Sequence, residues 1–539
     1  MPFSTTTLTG NDLLVTGGEI FTEADGQTHH EAMLVLNGRV EVLGSMAHVA
    51  EHLDAGRRDD LPRLDLAGRT VLPGFIDAHT HVEFSTLGRN EWIDVRGLSP
   101  AQVCERLAAE LAVRADRGGE TDAWLVAQGT FLQPLPDRAA LDRLSVDVPV
   151  IVRESMHRLQ CNSEALRRAG LLDRAPALPA GIVVHVDQDR RPTGLIEEGF
   201  HLFPIPAPAP ERLRELIERE LRESFARHGV TTVFEIPASQ DGVDAYTELA
   251  RRGELPTRIT LTPVVAPGLS PLLDRAQDWA AERFGGAGDS SLLDAGGIKI
   301  FVDGDNGQSF DTDTFERHPR EWGAVTRTLG DLREELIWAT EHDVQVWVHA
   351  IGDLAQEMVL EAVAQAADRV GPPRLPMRIE HIANLKLSDE ILARLRELGV
   401  VPVPTANFMH TDDGTGLYAY RSLIEAGLRP PGNSDTGGAI AQAPSPWFGI
   451  AHMIDRRNGR GEPVAPEQAV PVSEGLRSYT AYSAAVAGLD GLLGRLEPGF
   501  AADFAVYDGD PRVLAPAEMK SVEASATYVG GRITWNRDR

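Results

Sequence analysis

The chain of 539 residues contains only two cysteines, Cys104 and Cys161. Thiols so few and so far apart exclude a disulfide framework and fit a reducing compartment. Long apolar runs are missing too: no uninterrupted stretch approaches the ~18–20 residues that cross a bilayer. The first residues, MPFSTTTLTGND, have neither the basic head nor the apolar core of a secretion signal. The expectation is a cytoplasmic protein without a membrane partner. Positive charge is scarce, with 52 Lys+Arg against 80 Asp+Glu and a net charge of −28. Such a surface repels nucleic acid, so none is expected as a partner. It does not report on a buried cleft, whose local potential can be opposite in sign.

What is present is the composition of a globular protein, 42% hydrophobic and 24% charged. The length exceeds one ordinary core unless that core is a large α/β barrel with additions. The chain opens on strand-like segments, LLVTGGEIFT and AMLVLNGRVEVLG, with Asn37-Gly38 suited to a tight hairpin. ADFAVYDGD and ATYVGGRITW, near the other end, have the same character, with Gly530-Gly531 at a hairpin turn. The two groups are expected to pair as one small β-domain. Between them strands alternate with amphipathic helices. The strand candidates are PVIVRES, TTVFEI, RITLTPVV, GGIKIFVD, VQVWVHAI, MRIEHIA and VVPVPT. Repeated βα units of this kind point to a parallel barrel or a doubly wound sheet. The stretch from about 84 to 227 is longer than one βα step requires and reads as an insertion covering one side of a site.

In a parallel barrel, chemistry sits where strands end and loops begin. LPGFIDAHTHVEF places His79 and His81 on one face of a strand end, since side chains alternate with period two. That spacing alone does not separate a metal clamp from two core histidines. Asp77 shares the face and is a candidate acceptor to orient an imidazole. Lys299 lies inside GIKIFVD, His349 ends QVWVHAIGD, His381 lies in RIEHIA, and Asp435 follows in GNSDTGG. Six candidate ligands thus arise at successive strand ends. Imidazole and carboxylate without thiolate suit Zn²⁺ and tolerate Mn²⁺, Co²⁺ or Fe²⁺. Cys161 reads as core. Trp92, Phe131, Phe203, Trp322, Phe408 and Trp447 are candidates for a pocket wall.

The ordered set GFIDAHTH, GIKIFVDGD, VHAIGD, RIEHI and NSD resembles the strand-end signatures of the metal-dependent amidohydrolase superfamily. MHRLQCNSEAL, RPTGLIEEG and GRLEPGFAADFAVYDGDP resemble one branch of it, amidohydrolase family 3, also called YtcJ-like. The resemblance runs over nearly the whole chain. It implies a distorted (β/α)8 barrel at 73–492, including the insertion after its first strand, and a small β-sandwich built from 1–72 and 493–539. It further implies one or two divalent metals, most often zinc. His79, His81 and Asp435 would hold the first, and His349 and His381 the second. Lys299 matches a position where many relatives carry a carboxylated lysine bridging two metals; the other reading pairs it with Asp303 or Asp305.

The implied activity is hydrolysis of an amide-type C–N bond in an N-acyl, N-formyl or carbamate-like small molecule. Water activated by the metal attacks, and Asp435 acts as general acid and base. A cyclic amide or an ester or lactone is the alternative on the same site, and a scaffold that has lost its metal is a third reading. A homodimer is the expected assembly. His157 matches a family histidine and is a candidate to reach substrate, or else packs or caps. Glu235 is a candidate substrate-binding or bridging residue, or else a hydrogen-bonded structural carboxylate. Two segments depart from the family pattern: DGDNGQSF after the Lys299 strand, and NSDTGG where a proline-containing loop is usual.

Overall fold

Strands from the two ends of the chain join in one mixed sheet. Its order is Arg532–Asn536, Ala526–Val529, Phe504–Tyr507, Thr70–Pro73, Leu13–Phe21, His29–Leu36 and Arg39–Gly44, with Arg63–Asp65 alongside Leu13–Phe21. Both anticipated hairpin turns are present, with Asn37, Gly38, Gly530 and Gly531 all at positive φ, as tight two-residue connections require. One face buries Val15, Met33, Val71, Phe504 and Val506. The other buries Leu14, Leu34 and Val42 under the helix Met46–Glu51. The molecule is seen here as a computed structural model, which describes residues 12–53, 61–116, 123–172, 178–264, 292–305, 307–313 and 323–538. Trp322 therefore lies outside the described residues.

The core is parallel. Phe75–Thr80 (β1), Val230–Glu235 (β2), Arg258–Leu261 (β3) and Leu293–Ala295 (β4) form one four-stranded sheet in the order β4-β3-β2-β1. Ile298–Phe301 (β5), Val346–His349 (β6), Arg378–Glu380 (β7) and Val401–Val403 (β8) form a second. The amide of Lys299 donates to Pro263 O at 2.8 Å and links the two sheets. Along the free edge of β1 runs segment 432–436: Ala78 N donates to Gly432 O (3.0 Å) and Asp435 N to His79 O (2.9 Å). All six residues of β1 are buried, as parallel strands covered on both faces should be. Helices such as Gln240–Arg252 and Asp353–Val370 pack their apolar faces outside the sheets. No described helix is long and apolar enough to cross a membrane.

Residues 93–197 build a separate six-stranded sheet. Its order is Val183–Val186, Pro192–Glu197, Arg158–Cys161, Val150–Arg153, Leu125–Gln128 and Ile93–Asp94. PVIVRES, grouped with the central strands on its apolar run, belongs to this sheet instead, because a short apolar run does not tell which sheet receives it. The departing loops are where it docks. Gly438, in the NSDTGG loop, accepts from Arg96 Nη1 at 2.7 Å. Gln308, in DGDNGQSF, donates its side-chain amide to Glu197. A buried ion pair ties the terminal sheet to β3: Arg258 Nε donates to Asp503 Oδ2 at 2.7 Å and Nη2 to Oδ1 at 2.9 Å.

Candidate metal centre and cleft

His79 ends β1, and His81 occupies the N-cap position of the helix Val82–Asn90 without capping it. The first amides of that helix still need acceptors. Glu235 supplies them from the end of β2, taking Val82 N at 2.6 Å and Glu83 N at 3.2 Å. It also accepts from Thr80 Oγ1 and Tyr246 OH, both at 2.9 Å. Glu235, read from sequence as a candidate substrate or bridging group, is thus engaged at the strand–helix junction. Burial pushes its pKa up to about 7, against those four donors. With that duty met by Glu235, the His81 imidazole is left for another partner.

That partner lies on segment 432–436, beside β1. One ligand atom each from His79, His81 and Asp435 falls within 4.8 Å of the others, and all three residues are buried. Asp435 Oδ1 stands 3.5 Å from His79 Nε2 and 3.3 Å from His81 Nε2, and Oδ2 stands 3.6 Å from His381 Nε2. His381 (φ 66°) and Asp435 (φ 43°) both sit in the left-handed region, which β-carbon-bearing residues avoid. Backbone bonds hold them there: His381 N donates to Val403 O at 2.8 Å, beside the Asp435 bond to His79 O. Strain of this kind collects at functional sites. The His349 ring is 4.7 Å from that of His381, while its Nε2 faces Gly304 O at 3.0 Å. Lys299 is 1% exposed, and its Nζ has no hydrogen-bond partner.

Electrostatics favour a ligand set over a proton-bound cluster. Burial lowers the pKa of His79 to about 4 and holds His81, His349 and His381 below the ordinary imidazole value. They are neutral donors at pH 7, as metal ligation demands. Burial opposes ionisation of Asp435, yet the surrounding imidazoles hold it well below the usual carboxylate range. Burial brings Lys299 down to about 8, partly offset by Glu380 and Asp435. His79 Nε2, Asp435 Oδ1 and Lys299 Nζ are all buried without a hydrogen bond. Orphaned polar atoms are rare and costly unless something occupies the space between them. The residues present fit a divalent cation.

The support around this cluster includes residues that sequence reasoning missed. Glu380 Oε2 accepts from His79 Nδ1 at 2.5 Å, fixing the tautomer that turns Nε2 toward Asp435. Arg378 locks Glu380 with two bonds, Nε to Oε1 at 2.8 Å and Nη2 to Oε2 at 2.9 Å, and lies 3.7 Å from the Trp347 ring centre. Burial opposes the Glu380 charge, but Arg378 and His79 lower its pKa to about 2. Asp77, expected to orient an imidazole, accepts instead from the backbone amides of Ser434 (2.9 Å) and His79 (3.4 Å). It aligns the Asp435 segment beside β1. Asp303 does not pair with Lys299; it accepts from Phe310 N, Ile351 N and Gly352 N and shapes the turn after His349. Arg378 and Glu380 stand in the RIEHI motif at the spacing that signals a shared strand face.

Two cavities meet at His157. The larger, about 520 Å³, reaches His349, His381 and Asp435. The smaller, about 130 Å³, reaches His81. His157 borders both, its Nδ1 held by Glu198 Oε1 at 2.9 Å. Burial alone would lower its pKa, but Glu198, with Asp305 and Asp435, raises it to about 9. Among the candidate wall aromatics, Phe131 and Phe408 line the larger cavity. Trp92 joins Phe84 and Phe200 in a cage around the Arg153 guanidinium. Phe203, Trp447 and Cys161 are buried in the core.

A sequence model described as the amidohydrolase family matches residues 64–535. Over 97% of this chain and 99% of its own length, a Bacillus subtilis protein named as the amidohydrolase YtcJ is 26% identical. The N-substituted formamide deformylase of Arthrobacter pascens is 24% identical over 98% of both chains. Among solved structures, an uncharacterized metal-dependent hydrolase of Pyrococcus horikoshii superposes with a TM-score of 0.73 at 22% identity, covering 94% of this chain and 99% of that one. The α/β fold is therefore that of metal-dependent hydrolases.

Proposed function

The chain belongs to amidohydrolase family 3, and on that premise we propose that it hydrolyses an amide-type C–N bond in an N-acyl, N-formyl or carbamate-like small molecule. The observation that carries this reading is the meeting of buried, neutral imidazoles and one ionised carboxylate with unpaired atoms turned toward each other. We read the two parallel sheets and segment 432–436 as one distorted (β/α)8 barrel, with the pit at the C-terminal ends of its strands. His79, His81 and Asp435 would hold a first divalent cation, zinc by donor type, with His349, His381 and Lys299 beside them for a second. When bound, the cation acidifies water and polarises a carbonyl.

The chain's own residues do the rest. Asp435, ionised and reached from the larger cavity, takes a proton from the attacking water on its carboxylate and returns it to the departing nitrogen. Glu380 keeps the proton of His79 on Nδ1, so Nε2 stays a donor throughout. Lys299, without a partner for its amine, is placed for reaction with CO2, which requires the neutral form. The insertion shields the pit from bulk water. Cytoplasmic placement and a homodimer complete the proposal.

The test is metal analysis with a substrate panel. After supplementation with Zn²⁺ or Mn²⁺, the purified protein should retain at least about one equivalent and turn over some member among N-formyl amines, N-acyl amino acids and carbamates. Protein that retains no metal and turns over none of them refutes the reading.

A further inference from the structure

The two cavities that meet at His157 differ in chemistry. Phe84, Met156, Phe200, Ile236 and Phe301 wall the smaller one. Its one carboxylate, Glu198, is matched by the His157 imidazole. At about 130 Å³ it admits a group no larger than a single ring. Among the described residues, the larger cavity is lined by eight carboxylates against the cations Arg158 and Lys386 and the His157 imidazole. Those cations are already bound, Arg158 Nη1 to Glu154 Oε2 at 3.0 Å and Lys386 Nζ to Asp313 Oδ2 at 2.7 Å. The negative excess is one that one or even two divalent cations do not cancel. Asp305 accepts the amide of Gly307 at 2.9 Å and acts electrostatically on His157. The edge of the Phe131–Phe408 pair, 5.1 Å between ring centres, adds an aromatic wall. Asp435, with 2% side-chain exposure and Oδ1 unpaired, marks where this acidic lobe meets the reacting centre.

We propose that the substrate is amphipathic: an amide bearing an ammonium or amidinium group on the side lying in the acidic lobe, and an uncharged apolar group of at most one ring on the other. This rests on the hydrolase reading above. Carboxylates lining a cavity raise the local concentration of a cation and reject an anion. Aromatic faces add to the attraction.

Matched amides decide it: N-benzoyl-1,4-diaminobutane, N-benzoylbutylamine and N-benzoyl-4-aminobutyrate, together with the reversed benzylamides of 5-aminopentanoate, pentanoate and glutarate. In at least one series kcat/KM should be about tenfold higher for the cationic member than for the neutral one, and lowest for the anion. The advantage should shrink as salt rises from about 0.05 to about 0.5 M. Asp305→Asn should reduce it through a higher KM for the cationic member. Turnover that ignores charge, or prefers the anion, overturns the inference while leaving the hydrolase standing. If none of these amides is cleaved, the hydrolase reading is decided by its own substrate and metal test, and binding still tests the lobe. A phenylalkyl ammonium should then bind the metal-loaded protein about tenfold tighter than the alcohol of the same length by calorimetry; equal affinity overturns the inference.

Discussion

The two flanks of the candidate metal centre are built on opposite principles. On the His79 flank every supporting group has a partner: the imidazole rests on Glu380, Glu380 on Arg378, and Arg378 on the face of Trp347. On the Lys299 flank the amine is buried with no partner, and the His349 Nε2 faces a backbone carbonyl instead of the cluster. A buried network of paired charges fixes geometry before any ligand arrives, even with Arg378 Nη1 left without a hydrogen bond, whereas a buried group with no hydrogen bond at all costs stability until something completes it. The first flank is preorganised; the second waits for its occupant.

The largest effect should come from the carboxylate both flanks share. Asp435→Asn is expected to cut turnover by about 10²–10⁴-fold while the far-UV spectrum stays native. Turnover within a factor of two of the parent would remove Asp435 from the reaction. Next comes the satisfied flank. Glu380→Gln should weaken metal affinity by about 10–100-fold in chelator competition. It should also destabilise the metal-free protein by about 3–5 kcal/mol in denaturant unfolding, because Arg378 is left buried without its counter-charge.

The unsatisfied flank should answer in the opposite direction. Lys299→Met keeps the volume and removes the orphan amine, so the metal-free protein should gain about 1–3 kcal/mol in the same unfolding experiment. A loss of stability there would erase the contrast. The smallest effect is a pH slope. Folding lowers the Lys299 pKa from 10.5 to about 8, so between those values the unfolded chain binds more protons than the folded one. Stability of the metal-free protein should therefore rise with pH across that window, by up to about 1.4 kcal/mol per unit. In Lys299→Met that contribution disappears.

Much of this arrangement was legible in the sequence because four of the candidate ligands lie at or just past a strand end, and strand ends can be read from apolar runs. Asp435 lies in a non-strand segment beside β1, whereas His79, His81, His349 and His381 follow that rule. The groups behind them do not. Glu380 sits one residue before His381 in a motif that drew attention to the histidine, and its value depends on a contact between β7 and β1, strands of different sheets, that spacing cannot reveal. Asp77 was misread for the same reason: period two gives the face, but not which neighbour fills it. Glu235 shows a third limit, since only the fold reveals that a helix after His81 lacks a cap. The terminal strands were readable from their hairpin turns, while the mixed order of the insertion sheet, set by pairing between distant segments, was not.

Every proposed ligand lies before residue 436, yet Thr70–Pro73, which leads directly into the His79 strand, pairs with Phe504–Tyr507. A nascent chain therefore carries every proposed ligand, and both neighbours of β1, well before the segment that leads into β1 has its partner in the terminal sheet. A cation captured at that stage would meet histidines whose strand is paired on both sides but whose lead-in is not yet held by the terminal sheet.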